Sequence, residues 1–272
     1  MKVLRAITDR SVDSLEMLSE GKVWGVVPSG FRKVRGSGGC RWVVREDRLG
    51  EIDASIFRAE PSQEDKRYHG RGVLKAVRLR DGETALVRTY RHGGLLRGLT
   101  REMFFSWPPR PFRELAITEE LRRRGLRTVE VYGAGVQRVC GPIYRGCLVT
   151  RELRDSKDLW ATLQDGPETP ARLAAILKAT AETVRAMHRE GVYHSDLNLK
   201  NILIRRLPDG VEGYIIDFDK AKLFLGALPD FLAKRNLNRL LRSAHKLDPE
   251  RRYLSPASWN AFLKSYHGAA DL

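Results

Sequence analysis

The chain has 272 residues, 42% of them apolar and 31% charged, which argues against a disordered chain and leaves room for a sizeable core in one large domain or two small lobes. Lys and Arg total 49 against 34 Asp and Glu, and the net charge of +15 attracts polyanions: nucleic acid, anionic lipid or phosphorylated substrates. The apolar runs are too short and too broken by charge to span a bilayer, the opening MKVLRAITDR lacks the apolar stretch of a secretory signal, and Cys40, Cys140 and Cys147 are neither spaced as zinc ligands nor numerous enough for a disulfide framework.

Residues 1 to 60 carry mixed signals. Lys22 to Val27 and Arg41 to Arg45 read as short strands on either side of a glycine-rich turn, Gly36 to Gly39. Val73 to Arg80 reads as a strand, Asp81-Gly82 as a tight turn and Thr84 to Tyr90 as its partner. A basic loop, Arg91-His92-Gly93-Gly94, follows. Phe112 to Arg124 reads as a helix closed by Gly125. Val129 to Val139 and Tyr144 to Thr150 read as a second hairpin. After Glu152 the chain changes character. Thr169-Pro170 is an N-cap and first-turn pair, and Leu173, Ile176, Leu177, Thr180, Val184 and Met187 recur at helical spacing until Gly191. Asn201 to Arg206 and Gly213 to Asp217 predict a third hairpin, and helices follow Pro229, with Lys234, Arg235, Arg239, Arg242 and Lys246 on one side. The expected class is α+β, a strand-rich lobe over 1–152 and a helix-rich lobe over 153–272, with a cleft between them.

The residues with the clearest chemistry are Tyr193 to Asn201, YHSDLNLKN, between the long helix and the third hairpin. Ile215-Ile216-Asp217-Phe218-Asp219 closes that hairpin, which brings Asn201 and Asp217 together. Phosphoryl transfer needs such a set. Hard oxygens must hold Mg²⁺ against the phosphates, and Asn201 and Asp217 offer an amide oxygen and a carboxylate. A separate carboxylate must orient the acceptor hydroxyl and take its proton, the role expected of Asp196. His194 braces the loop from behind. A lone Asp and Asn five residues apart is ordinary turn chemistry; the helix before it and the hairpin after it make it a site.

These residues resemble the protein-kinase-like superfamily, with H-x-D-x-x-x-x-N at His194 to Asn201 and Asp217-Phe218-Asp219 at the D-F-G position. The chain is most similar in pattern to the lipopolysaccharide-core kinases that act on 3-deoxy-D-manno-octulosonic acid (Kdo). The resemblance rests on Tyr68-His69-Gly70-Arg71-Gly72, Leu86 to Gly94 (LVRTYRHGG), Tyr193 to Asn198, Ile216 to Asp219 and Asn236 to Ser243 (NLNRLLRS), and covers roughly residues 60 to 250.

The resemblance implies an ATP- and Mg²⁺-dependent kinase of bilobal, protein-kinase-like fold, residues 1–60 extending its first lobe. Gly70 and Gly72 would lie over the phosphates, although Lys75 stands where the third glycine of G-x-G-x-x-G would be. Arg88 replaces the phosphate-gripping strand Lys, with Glu114 as its partner and Arg91 as an alternative phosphate ligand. Thr150 to Leu153 would form the hinge, the backbone of Glu152 and Leu153 facing adenine. Ser195 stands where phosphorylation-switched kinases have Arg, so activation by phosphate is not expected. Little chain follows Asp219 and it holds no A-P-E sequence, which favours a sugar or other small-molecule acceptor. The implied acceptor is a lipopolysaccharide inner-core sugar, Kdo linked to lipid A, met at the cytoplasmic face of the inner membrane by a peripheral enzyme on anionic lipid. A heptose or other small-molecule kinase, a pseudokinase and a polyanion-binding module are the alternatives. No nucleic-acid partner is expected, because few aromatics interleave with the basic clusters, and no protein partner is inferred.

Overall fold

The structure, a computed structural model, describes residues 26–57, 74–90, 103–106, 108–140, 143–165 and 169–268. It divides into two compact units, one comprising residues 11–120 and 130–152, the other 121–129 and the chain from 153 onward.

The first unit is built on a six-stranded antiparallel sheet in the order β1-β2-β5-β6-β4-β3. Its strands are β1 (Phe31–Arg35), β2 (Cys40–Arg45), β3 (Leu74–Arg78), β4 (Thr84–Thr89), β5 (Val131–Cys140) and β6 (Ile143–Arg151). The sheet has two apolar faces. On one, Val43, Val131, Ala134 and Leu148 pack with Phe112 and Leu115 of helix α1 (Arg110–Arg123). On the other, Trp42, Tyr132, Cys147 and Val149 pack with Ile52, Ala54 and Ile56. The short 3-10 segment Ala54–Phe57 therefore helps cover the sheet, a role the sequence of the first 60 residues did not suggest. Gly135 permits this packing: a Cβ there would lie 2.5 Å from the Trp42 ring.

Of the strand expected at Lys22 to Val27, residues 22–25 lie outside the described residues and Val26 and Val27 are not in a strand; the first strand among the described residues is β1, antiparallel to β2 across Gly36–Gly39, which the sequence reading did not propose. The reason is physical: β1 is an edge strand, and its Arg32, Lys33 and Arg35 suit an edge and hide the apolar alternation.

The second unit is mostly helical. Its described elements are β7 (Ser156–Asp158), α2 (Leu159–Gln164), α3 (Pro170–Arg189), β8 (Val192–Tyr193), β9 (Ile202–Leu207), β10 (Gly210–Ile215), β11 (Lys222–Leu223), α4 (Asp230–Leu247) and α5 (Pro256–His267). Helix α3 starts as its sequence predicts, with Thr169 Oγ1 accepting the Arg172 N–H at 3.2 Å and Pro170 in the first turn. It buries Ile176, Leu177, Thr180, Val184 and Met187. It ends at Gly191, whose φ of +73° suits glycine, and a Cβ there would sit 2.2 Å from the Gly226 carbonyl oxygen. This close approach places β8, and the loop that follows it, beside β11. The β9–β10 hairpin turns at Pro208-Asp209, so its second strand starts at Gly210 and ends at Ile215, two residues short of Asp217. No helix among the described residues is long and apolar enough to cross a membrane.

Candidate active site

Asp196, Asn201 and Asp217 all belong to the second unit, and backbone and side-chain hydrogen bonds tie them into one loop system. Asn201 lies in a short 3-10 turn, Leu199–Asn201, whose N-cap is Asn198. The Asn201 Nδ2 donates to the Asp196 carbonyl at 2.8 Å, and the Asn198 Nδ2 donates to the same oxygen at 2.8 Å. The Ile216 N–H donates to the Asn201 carbonyl at 3.0 Å, which fixes Asp217 one residue further along. The Asp217 backbone has a φ of +69°, an uncommon conformation for a non-glycine residue that costs on the order of 1 kcal/mol or more. Strain of this kind persists where the surrounding bonds enforce it, and it occurs here at a residue with site chemistry. All three residues are half-buried, so their side chains are accessible from solvent.

His194 is the bracing residue the sequence suggested. It is 1% exposed. Its Nδ1 accepts the Asp196 N–H at 3.2 Å, which leaves Nε2–H to donate to the Ile216 carbonyl at 3.0 Å. One neutral ring therefore links the loop of Asp196 to the strand end that carries Asp217. Burial holds its pKa below the ordinary histidine value, consistent with that neutral form. Phe218 is fully buried against the His194 ring, with centroids 5.5 Å apart. Ser195 Oγ donates to the Lys220 carbonyl at 2.7 Å, tying the loop to the segment beyond Asp219.

In the first unit, Arg88 on β4 and Glu114 on α1 meet as expected. Arg88 Nη2 reaches both carboxylate oxygens of Glu114, and the Tyr90 hydroxyl donates to Glu114 Oε2. The Glu114 side chain is 2% exposed and that of Arg88 26%, so the carboxylate is a buried anchor and the guanidinium retains an accessible edge. The guanidinium also lies over the Tyr90 ring, 5.0 Å from its centroid. Tyr90 is a participant the sequence reading overlooked. At the expected hinge, the Glu152 N–H donates to the Thr84 carbonyl at 2.9 Å and the Leu153 carbonyl accepts from Ser156 Oγ at 2.6 Å. Both bonds belong to the fold of the segment that was expected to form the hinge. Gly70, Gly72 and Arg91 lie outside the described residues.

Residues to which the sequence reading assigned no role also hold the loop, from α3 and α4. Ser243 Oγ accepts the Leu199 N–H at 3.3 Å, and Asn236 and His188 are hydrogen-bonded behind His194.

A family model described as the lipopolysaccharide kinase (Kdo/WaaP) family matches residues 58–266. The chain belongs to that family. The motif resemblance read from the sequence is thereby borne out, and the chain is a kinase. Among similar proteins, the 3-deoxy-D-manno-octulosonic acid kinase of Pasteurella multocida is 32% identical over 203 residues, 72% of this chain and 82% of the relative. The protein of the same name from Vibrio cholerae is 33% identical over 180 residues, 65% of this chain and 72% of the relative. A solved chain, WaaP in complex with acyl carrier protein, matches with a TM-score of 0.54 at 20% identity, covering 87% of this chain and 88% of that one. That likeness bears on the fold and places this family member in the protein-kinase-like class.

The donor set fits a magnesium–nucleotide. One amide oxygen and one carboxylate suit a hard cation that completes its octahedron with water and phosphate oxygens.

Proposed function

We propose that this family member transfers the γ-phosphoryl group of ATP to a hydroxyl of Kdo in the lipopolysaccharide inner core, working peripherally at the cytoplasmic face of the inner membrane. The observation that carries the reading is the locked Asp196 loop. The Asp196 N–H and carbonyl are held by His194, Asn198 and Asn201, so the carboxylate is presented from a fixed backbone.

Asp196 orients the acceptor hydroxyl and takes its proton as the new O–P bond forms and the bond to ADP breaks. Asn201 and Asp217 would hold Mg²⁺, which supplies charge neutralisation across the phosphates. Arg88, anchored by Glu114 and Tyr90, faces phosphate with its accessible edge. Gly70 and Gly72 cover the phosphates, and the backbone of Glu152 and Leu153 receives the adenine.

An amphipathic, anionic acceptor calls for a surface that meets anionic lipid. Helix α4 offers one: Ala233, Asn236, Leu237, Leu240 and Ala244 are buried, whereas Lys234, Arg235, Arg242 and Lys246 are exposed. Near an anionic leaflet each contributes on the order of 1 kcal/mol.

The test is incubation with ATP, Mg²⁺ and a panel of Kdo- and heptose-containing acceptors, with the phosphate located by mass spectrometry. Phosphate on Kdo is expected. The Asp196→Asn variant should lose roughly 10²–10⁴-fold in turnover while still binding ATP. Phosphate only on heptose, or near-native turnover in the variant, would overturn the acceptor or the base.

A further inference from the structure

The loop system carries three acids, Asp196, Asp217 and Asp219, and ATP would add further negative charge to it. A magnesium ion offsets charge on the phosphate side. It does nothing for an acceptor that is itself an acid. A sugar acid such as Kdo is a carboxylate at neutral pH, and it would have to approach the Asp196 carboxylate against repulsion.

Cations bracket Asp196 along the backbone. Lys222 opens β11 and lies opposite Tyr193 in the register with β8, three residues before Asp196. The Lys220 carbonyl accepts from Ser195 Oγ at 2.7 Å, so Lys220 is tied to the residue immediately before Asp196. Lys200 lies four residues after Asp196, in the 3-10 turn, and its N–H donates to Asn198 Oδ1 at 2.9 Å. All three lysines are exposed, whereas Ala221 and Leu223, which alternate with Lys220 and Lys222, are buried. None of the three makes an ion pair with a described residue, whereas Lys157 of the same unit pairs with Asp165 at 2.9 Å. Lys200 does act through space on Asp158. That carboxylate, raised in pKa first by burial, is committed to capping α2, where it accepts the Ala161 N–H at 2.9 Å.

We infer that Lys200, Lys220 and Lys222 form a cationic rim on both sides of Asp196 that binds the carboxylate of the acceptor sugar and so selects an acidic sugar over a neutral one. The inference rests on the proposed function. An ammonium is a point charge with three donors on a flexible stem, so three of them can follow a carboxylate while the hydroxyl beside it settles against Asp196.

The test compares a short Kdo glycoside, free of lipid A, with its carboxyl methyl ester. Binding of each is measured by calorimetry in the presence of Mg²⁺ and a non-hydrolysable ATP analogue, and turnover is measured with ATP. The native protein should bind the acid roughly tenfold or more tighter than the ester. In the triple variant Lys200→Gln, Lys220→Gln, Lys222→Gln that ratio should fall toward one, with ATP affinity and melting temperature unchanged. Arginine at the same three positions keeps the charge and should keep the preference for the acid. A triple-glutamine protein that still prefers the acid, or that loses acid and ester binding equally, overturns the rim. A preference seen only when the acceptor is linked to lipid A would mean that the lipid's phosphates are the anions held, and the carboxylate assignment falls. A triple variant that loses its hold on anionic vesicles but keeps the acid preference would assign the lysines to the membrane and overturn the rim. Native protein that binds the acid with the expected preference but transfers no phosphate to it would overturn the proposed function and leave the rim standing. Phosphate on Kdo with no preference for the acid would do the reverse.

Discussion

Acidification should destabilise this protein well above the pH at which carboxylates protonate, and the cause is the pair of buried histidines. His188 is 4% exposed, and burial draws its pKa from 6.5 down to about 4. His194 moves in the same direction for the same first cause. Above about pH 6.5 both rings are neutral folded and unfolded, and the stability is fully present. As pH falls below that, the unfolded chain takes up protons that the folded rings refuse, so unfolding is favoured. For His188 the loss grows until about pH 4 and then stops, because the folded ring protonates too. The gap between 6.5 and about 4 converts to on the order of 3 kcal/mol, of which about 2 kcal/mol should be gone by about pH 5. That is a large share of a typical domain's stability.

Other groups act in different windows or with the opposite sign. Asp47, held low by Arg45, and Asp81, held low by the Glu83 N–H and Arg48, lose their contribution only below the ordinary carboxylate range. Asp158 is shifted upward by burial and opposes the histidines slightly near pH 4. The assay is urea unfolding at a series of pH values between about 7 and about 4.5, for the native chain and for His188→Gln. The glutamine can still donate to Asn236 but does not titrate, so its profile should be flatter by most of that amount. A native profile that is level across this window, or a His188→Gln profile as steep as the native one, would refute the reasoning.

Asp217→Ala should remove the Mg²⁺ dependence of ATP affinity, since a hard carboxylate ligand is lost; unchanged affinity by calorimetry with and without Mg²⁺ would contradict the metal role. Arg88→Lys should lower kcat/KM by about tenfold or more, because the Glu114 contacts already occupy one guanidinium nitrogen, Nη2, and a lysine ammonium in its place has no second nitrogen to turn toward phosphate; full activity would mean that a point charge is enough. Reversing charge at Arg235 and Arg242 should weaken binding to anionic vesicles at low salt and leave ATP affinity intact. Native binding should fade as salt rises and be absent on neutral vesicles, and native protein that ignores anionic vesicles even at low salt would point to a soluble acceptor. Arg239 is left out of that test because its Nε is buried.

What could be read from the sequence follows from how local each requirement is. Asp196 and Asn201 sit on one short loop, and the strands either side of the Pro208-Asp209 turn bring Asp217 to them, so the spacing together with the helix before and the hairpin after reveals the set. Arg88 and Glu114 were legible only through the resemblance, which marks the strand position where Arg replaces Lys and the helix that follows it. Asn236 was visible only as part of a similar-looking segment, because its partner His194 is 42 residues away and the bonds are to backbone. His188, in the last turn of α3, belongs to none of the motifs the sequence offers. The left-handed backbone at Asp217 leaves no mark in composition, since aspartate tolerates that region better than most residues. Strand β1 was missed because its charges suit an edge and mask its pairing.

Helix α4 joins two roles, holding the loop that carries Asp196 and offering the basic surface proposed to meet anionic lipid. Asn236, Leu240 and Ser243 recur at intervals of four and three residues and so share one face. From that face Asn236 holds His194 and Ser243 holds Leu199, one near each end of the loop that carries Asp196. Arg235, Arg242 and Lys246 lie together on a neighbouring flank of the helix, and Lys234 on the far side, all in solvent. A helix is about 10 Å across, so a surface bound to its outer side lies within roughly one helix diameter of the groups that hold the loop. On the loop's far side Ser195 bonds directly to the Lys220 carbonyl, where a phosphorylation-switched kinase would use an arginine to reach a phosphate. The loop is therefore tied from both sides by short side chains. If the proposed function holds, a loop tied in this way would not need a phosphate to order it.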